Sequence, residues 1–132
     1  FADLCEGNGI ELILMKAPSV YPVWVDPYEE QIEAFADDRG LLYLNALEHE
    51  EIGIDMNTDT YDGGLHLNVY GAEKVSRWLG GILKEELSLP DHREDEELSK
   101  IYALRMAAYE NEKQEQKEEF ESIGYISRYY NE

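Results

Sequence analysis

Ile10-Glu11-Leu12-Ile13-Leu14-Met15 decides the fold when it is taken with the next three signals along the chain: Asp26-Pro27-Tyr28-Glu29 opening a helix, Gly40 closing it, and Leu41-Leu42-Tyr43-Leu44 beyond. The first run is almost continuously apolar, the pattern of a parallel strand covered on both faces. Asp26 as N-cap, Pro27 in the first helical position and Glu29 three residues after the cap predict the helix start. Tyr28, Ile32, Phe35 and Ala36 recur at helical spacing and make its inward stripe. The second apolar run is a short strand. Residues 10–46 therefore read as one β-α-β unit with a right-handed crossover, which places the chain in the α/β class.

Toward the N-terminus, Gly7-Asn8-Gly9 ends a helical turn, and Phe1-Ala2-Asp3-Leu4-Cys5 reads as the end of a helix already under way. With no initiator Met and no signal-peptide pattern, the expectation is a segment of a longer polypeptide. Toward the C-terminus, a polar connection over residues 47–68 leads to Asn68. That residue caps a helix whose Val69, Ala72, Val75, Leu79, Ile82, Leu83 and Leu87 form the apolar face, with Glu73 and Arg77 paired on the wet side. Gly80-Gly81 costs that helix about 1 kcal/mol per residue relative to Ala, which predicts close approach to a neighbouring backbone. Leu89-Pro90 ends it. A further helix begins near Asp95 with Leu98, Ile101, Tyr102, Ala108 and Tyr109 on one face. From Glu110 to Glu119 that face disappears, so this part is expected to be solvated or to rest on a partner. Tyr125, Ile126, Tyr129 and Tyr130 give the tail aromatic mass that calls for a surface to cover.

The 132 residues, 43% apolar, suit a single domain with a modest core. Thirty acids against eleven Lys and Arg give a net charge of −19, which repels phosphate backbones and anionic lipid heads and so excludes nucleic-acid and membrane-surface binding. No apolar run approaches the roughly 18 residues of a membrane span. Cys5 is alone, can form no internal disulfide, and does not discriminate between compartments. No cofactor and no metal is expected. The nearest approach to a metal motif is Asp55-Met56-Asn57-Thr58-Asp59, which alternates oxygen ligands as the start of a calcium loop does. It then fails, with Thr60 where a turn glycine is required and His66 where a bidentate Glu should close the shell.

Chemistry concentrates in Tyr61-Asp62-Gly63-Gly64-Leu65-His66-Leu67-Asn68, just before the helix capped by Asn68. An acid and an imidazole share one short loop, so a carboxylate can fix one ring nitrogen while the other faces a substrate. That is half of a catalytic triad. The other half has no evident candidate: Ser19, in Ala17-Pro18-Ser19, lacks a Gly-x-Ser-x-Gly or Gly-Asp-Ser setting and reads as a turn residue. His49 and His92 stand in charged surroundings and read as solvated.

Strand, Pro-Ser turn, capped helix and short strand, then Asp62…His66-Leu67-Asn68 followed by Tyr70-Gly71-Ala72-Glu73-Lys74, resembles the C-terminal half of an SGNH (GDSL-type) hydrolase. The resemblance covers residues 1–90, and residues 91–132 would be a helical C-terminal extension. It implies a three-layer, flavodoxin-like parallel sheet, of which this is a fragment, with the added helix outside the family core. It also implies that His66 and Asp62 are the base and acid of a Ser-His-Asp triad whose serine lies nearer the N-terminus. The family usually places its Asp three residues before the His, whereas Asp62 is four before. Gly63-Gly64 can absorb the extra residue, and Asp59 stands as the alternative acid.

The implied activity is that of a serine ester hydrolase or acyltransferase acting on O-acyl groups of carbohydrate or cell-envelope material, inactive in this segment alone. The resemblance is compatible with a bacterial, extracytoplasmic parent. Partners would be a small-molecule or carbohydrate ester. Because two parallel strands leave edges and faces uncovered, either the missing N-terminal half or a second copy should bury them. The alternative is a non-catalytic protein-interaction module using the acidic C-terminal helix.

Overall fold

The computed structural model describes residues 1–20, 22, 24–87 and 89–124, and the aromatic tail from Tyr125 lies outside them. The chain is mixed α/β, with four α-helices and one two-stranded parallel sheet among the described residues. It divides into two compact units, residues 1–54 and 55–132.

In the first unit, helix α1 (Ala2–Gly7) leads to strand β1 (Ile13–Lys16), helix α2 (Asp26–Arg39) and strand β2 (Leu42–Asn45). The β-α-β unit is present as the sequence predicts, with Ile13 opposite Leu42 and Lys16 opposite Asn45. The first strand starts three residues later than the apolar run. The Ile10 amide donates to the Cys5 carbonyl at 2.9 Å, so that part of the backbone closes the α1 turn instead of joining a ladder. The core is thin, with Cys5, Ala36, Leu44, Ala46 and Ile52 buried. Met15 and Leu42 stay exposed, so the two-sided cover expected of parallel strands is not provided by the described residues.

The α2 start differs in detail from the capping pattern expected of Asp26. Val25, in extended backbone, is the N-cap and makes no side-chain cap bond, while Asp26 and Pro27 are already helical. Gly40 closes the helix in the left-handed conformation, φ 63°. Only Ala36 and Ile32 of the expected stripe turn inward; Tyr28 and Phe35 are exposed.

In the second unit, helix α3 (Val69–Glu86) and helix α4 (Glu96–Ile123) come after the loop that carries His66. Both starts are as predicted. The Asn68 side-chain oxygen Oδ1 accepts from the Tyr70 and Gly71 amides, and the Asp95 carboxylate accepts from those of Glu97 and Leu98. Val69 and Val75 bury the α3 face. The boundary at residue 90 implied by the resemblance falls between these two helices.

Three expectations for this unit are overturned. A Cβ added at Gly80 or Gly81 would meet nothing within 4 Å, so neither marks close approach; Gly71 does, with the Asp59 carbonyl oxygen only 2.3 Å from its virtual Cβ. Glu73 does not face water with Arg77, because it accepts from Lys113 Nζ at 2.6 Å and from the Tyr109 hydroxyl at 3.0 Å on α4. The 110–119 stretch is correspondingly not a solvated rod: Gln116 is 4% exposed, and Glu112, Lys113 and Glu119 are half-buried. Polar pairing replaces the apolar stripe there, which periodicity of hydrophobic residues does not reveal.

Candidate functional site

The loop from Thr60 to Leu67 is closed at its base by an antiparallel bridge between those two residues, and the Tyr61 amide donates to the His66 carbonyl at 3.3 Å. Gly63 and Gly64 take φ values of 73° and 100°, a region that side-chain-bearing residues rarely enter. Their conformation accommodates the three residues that lie between acid and imidazole. The Thr60 hydroxyl donates to the Met56 carbonyl at 2.6 Å and accepts the Gly64 amide at 2.9 Å, pinning the loop from inside.

Asp62 is held on three sides. One carboxylate oxygen accepts the amides of Leu65 (3.1 Å) and His66 (2.7 Å), and the other lies 2.5 Å from His66 Nδ1. The Asp62 side chain is 16% exposed and that of His66 66%. Burial alone would raise the Asp62 carboxyl, but the bonds from the His66 ring and amide, with the ring's charge, outweigh it and hold it below the usual carboxylate value. An ionised carboxylate can only accept, so Nδ1 carries the proton of the pair, and in the neutral ring Nε2 keeps its lone pair. The Tyr61 ring lies parallel to the imidazole, 10° between planes and 5.8 Å between centroids. Among the described residues, none hydrogen-bonds Nε2. The arrangement can take up a proton from an approaching hydroxyl and hold the resulting imidazolium beside a fixed anion.

Asp59, the alternative acid, is placed elsewhere. Its side chain is 3% exposed and accepts from Lys74 Nζ at 2.6 Å and from the Asp55 amide at 2.7 Å. Its carbonyl oxygen receives the Asn68 amide at 2.9 Å and lies against Gly71. The Asn68 amide group adds bonds to the Thr58 and Thr60 carbonyls, so α3 and the His66 loop share one polar clasp. The same contacts account for the calcium-like run: Asp55 accepts from the Asn57 amide and side chain, and an ammonium neutralises Asp59.

Ser19 sits half-buried in the turn after β1, behind the fully buried Pro18. His49 is not simply solvated, since its Nδ1 meets Glu51 at 2.7 Å; His92 is exposed.

One cluster escaped sequence reasoning altogether. Glu29 collects Lys16 Nζ and Trp24 Nε1, each at 2.6 Å, on one oxygen, and the Tyr43 hydroxyl (2.7 Å) and Asn45 amide (2.9 Å) on the other. Lys16 and Asn45 are the last residues of β1 and β2, so Glu29 ties α2 to the carboxyl ends of both strands. Its position three residues after Asp26 suggested a capping box, a local rule that cannot anticipate donors 13 to 16 residues away. Glu33 and Glu48 stand close by, with one oxygen of each of the three acids within 4.8 Å of the others. Burial opposes ionisation of Glu29, but the bonds from Lys16, Tyr43 and Trp24, with the Lys16 charge, outweigh it and hold it below the usual value.

Glu73 is likewise held low, chiefly by Lys113, with burial opposing and Tyr109 assisting; the Tyr109 phenol is pushed up to about 12 by burial and by Glu73. Asp62, Glu29 and Glu73 all have folded-state values below their ordinary 3.8, 4.5 and 4.5. What they contribute to stability is therefore complete above those values and is lost as pH falls through the lower folded-state ones. Urea midpoints measured from pH 6 to pH 2 should fall steeply below about pH 4. A midpoint unchanged down to pH 2 would show that these contacts do not contribute.

Comparison with described protein families, with curated proteins and with solved structures returned no match.

Proposed function

We propose that this chain supplies the acid–base half of a serine ester hydrolase or acyltransferase of SGNH type, with His66 as general base and Asp62 as its orienting acid. The observation that carries the reading is His66 Nδ1 on Asp62 at 2.5 Å beside a mostly exposed ring. It is supported by the Gly63-Gly64 conformation, which lets an acid four residues away do what the family does with three, and by the buried clasp of Asp59, Lys74, Asn68 and Gly71 behind the loop.

On this reading a serine outside residues 1–132 approaches Nε2. The imidazole takes its proton as the hydroxyl oxygen attacks the acyl carbon, and the imidazolium gives that proton to the departing alcohol. Water or a sugar hydroxyl then repeats the sequence on the acyl-enzyme. Asp62 stays ionised throughout, fixing the tautomer and stabilising the imidazolium. The two parallel strands would belong to a larger flavodoxin-like sheet, and the exposed Met15 and Leu42 are apolar surface that neighbouring elements of such a sheet would cover.

The alternative, an interaction module built on the acidic half of α4, is less favoured because Lys113, together with Tyr109 just before that half, already binds the helix to α3. The 132-residue chain by itself should hydrolyse p-nitrophenyl acetate no faster than its His66→Ala variant. Turnover clearly dependent on His66 would reveal a nucleophile within the chain and refute the division of labour.

A further inference from the structure

Packing leaves the glycine pair of α3 unexplained. Glycine inside a helix is unfavourable relative to alanine, yet neither Gly80 nor Gly81 is pressed against a neighbour. Gly80 lines a cleft of about 660 Å³ between the C-terminal part of α3, the connection through residues 89–93, and the first half of α4. A Cβ at position 80 would meet nothing within 4 Å, so the glycine leaves that part of the wall bare. The rest of the wall is mostly apolar, with Leu83, Leu89, Tyr102 and Met106 among its residues. Leu89, Tyr102 and Met106 are 52%, 57% and 51% exposed, so the fold does not cover them. Volume and lining both fit a small-molecule site, which typically encloses about 300–1,000 Å³ of apolar wall with a few polar groups.

The charges on that wall run against the sign of the chain. Asp91 is the only acid there, and Arg93 occupies it: Nε donates to its two oxygens at 2.8 and 2.9 Å, and Nη2 to one of them. Lys84, also on the wall, is the one lysine without a salt bridge among the described residues; Lys16, Lys74, Lys100, Lys113 and Lys117 are all paired. The His92 ring stands on the same wall and offers an N–H donor even when neutral. Glu85, Glu86 and Glu94 are neighbours in sequence but do not line the cleft. The lining is therefore net positive in a chain of −19.

We infer that this cleft binds an anionic amphiphile, a single-chain carboxylate of the fatty-acid type, with its alkyl chain against Leu83, Tyr102 and Met106 over Gly80 and its carboxylate at Lys84. An apolar body answers the uncovered wall, and a carboxylate answers the unpaired ammonium. The chain's overall charge opposes an anion at a distance, but salt screens that repulsion beyond about 8 Å at physiological ionic strength, so the groups on the wall decide. The inference does not depend on the role proposed for His66.

Titration calorimetry of the 132-residue chain with dodecanoate, kept below its micelle concentration, should show one saturable site with a Kd of about 10–100 μM. Decanoate should bind about tenfold more weakly, because each methylene removed from water contributes about fourfold. Dodecyltrimethylammonium should bind about tenfold more weakly than dodecanoate, and Lys84→Gln should remove that difference. Gly80→Leu fills the bare wall and suits a helix better than glycine, so it should abolish binding while the circular-dichroism spectrum stays helical. Gly81→Leu, equally unobstructed but off the cleft, should leave the Kd unchanged. No saturable binding of dodecanoate up to about 1 mM overturns the inference. So does equal affinity for the anionic and cationic head groups, a Kd that Gly80→Leu leaves unaltered, or equal loss of binding in the two glycine variants.

Discussion

On the proposed reading, His66→Ala is expected to lower ester turnover by about four orders of magnitude when the chain is joined to the serine-bearing segment that reading requires, because losing the base leaves only binding and oxyanion stabilisation to act. Asp62→Asn should approach that loss while preserving the fold. The amide keeps the side chain's shape and an acceptor for the Leu65 and His66 amides, but it no longer offers Nδ1 an anion. The ring is then free to take the tautomer with its proton on Nε2, which cannot serve as a base. Asp59→Asn should behave in the opposite way. It removes the partner of Lys74 in a buried clasp, so it should lower the melting temperature and affect turnover mainly through loss of folded protein. Measuring kcat and thermal midpoint for the three variants side by side separates the roles. Equal kinetic losses at Asp59 and Asp62 with equal stability would contradict the assignment of Asp62.

Gly71→Ala should destabilise the second unit by about 1–3 kcal/mol, although alanine is the better helix former by about 1 kcal/mol. The added methyl would stand 2.3 Å from the Asp59 carbonyl oxygen and 2.9 Å from Leu67 Cδ2. The leucine could move, but the carbonyl is backbone and accepts the Asn68 amide, so the loop must lift from α3 and carry Asp62 and His66 with it. Gly81→Ala is the matched control. Nothing lies within 4 Å of its virtual Cβ, and the substitution should stabilise by about 0.5–1 kcal/mol. Chemical denaturation of the pair therefore predicts shifts of opposite sign from the same substitution, ten residues apart on one helix. A Gly71→Ala chain as stable as the parent would mean that the close approach of loop and helix is not maintained in solution.

These two glycines also show how far the sequence can be read. Gly80-Gly81 suggests a close-approach site because the pair costs helix propensity, yet Gly71 is the one pressed against the Asp59 carbonyl, a partner 12 residues earlier that no local rule points to. Glu29 was legible as a helix-start residue and not as the acceptor of Lys16, Trp24, Tyr43 and Asn45, for the same reason. What local chemistry dictates was legible: the β-α-β unit, the Asn68 cap, a helix start near Asp95, and the use of Gly63-Gly64 to absorb an extra residue, whereas the choice between Asp62 and Asp59 as the partner of His66 was not. The acidic half of α4 was not, because an ion pair from Lys113 to Glu73, rather than an apolar stripe, fastens it to α3.

Labelling with a fluorophosphonate, which captures only an activated serine, tests the proposed division most directly when applied to a polypeptide that joins this chain to the serine-bearing segment proposed for it. The account predicts a phosphonylated serine outside residues 1–132, formed about a thousandfold more slowly or worse in the His66→Ala variant. Labelling that proceeds at the same rate without His66, or no labelled serine in the folded active polypeptide, would contradict it.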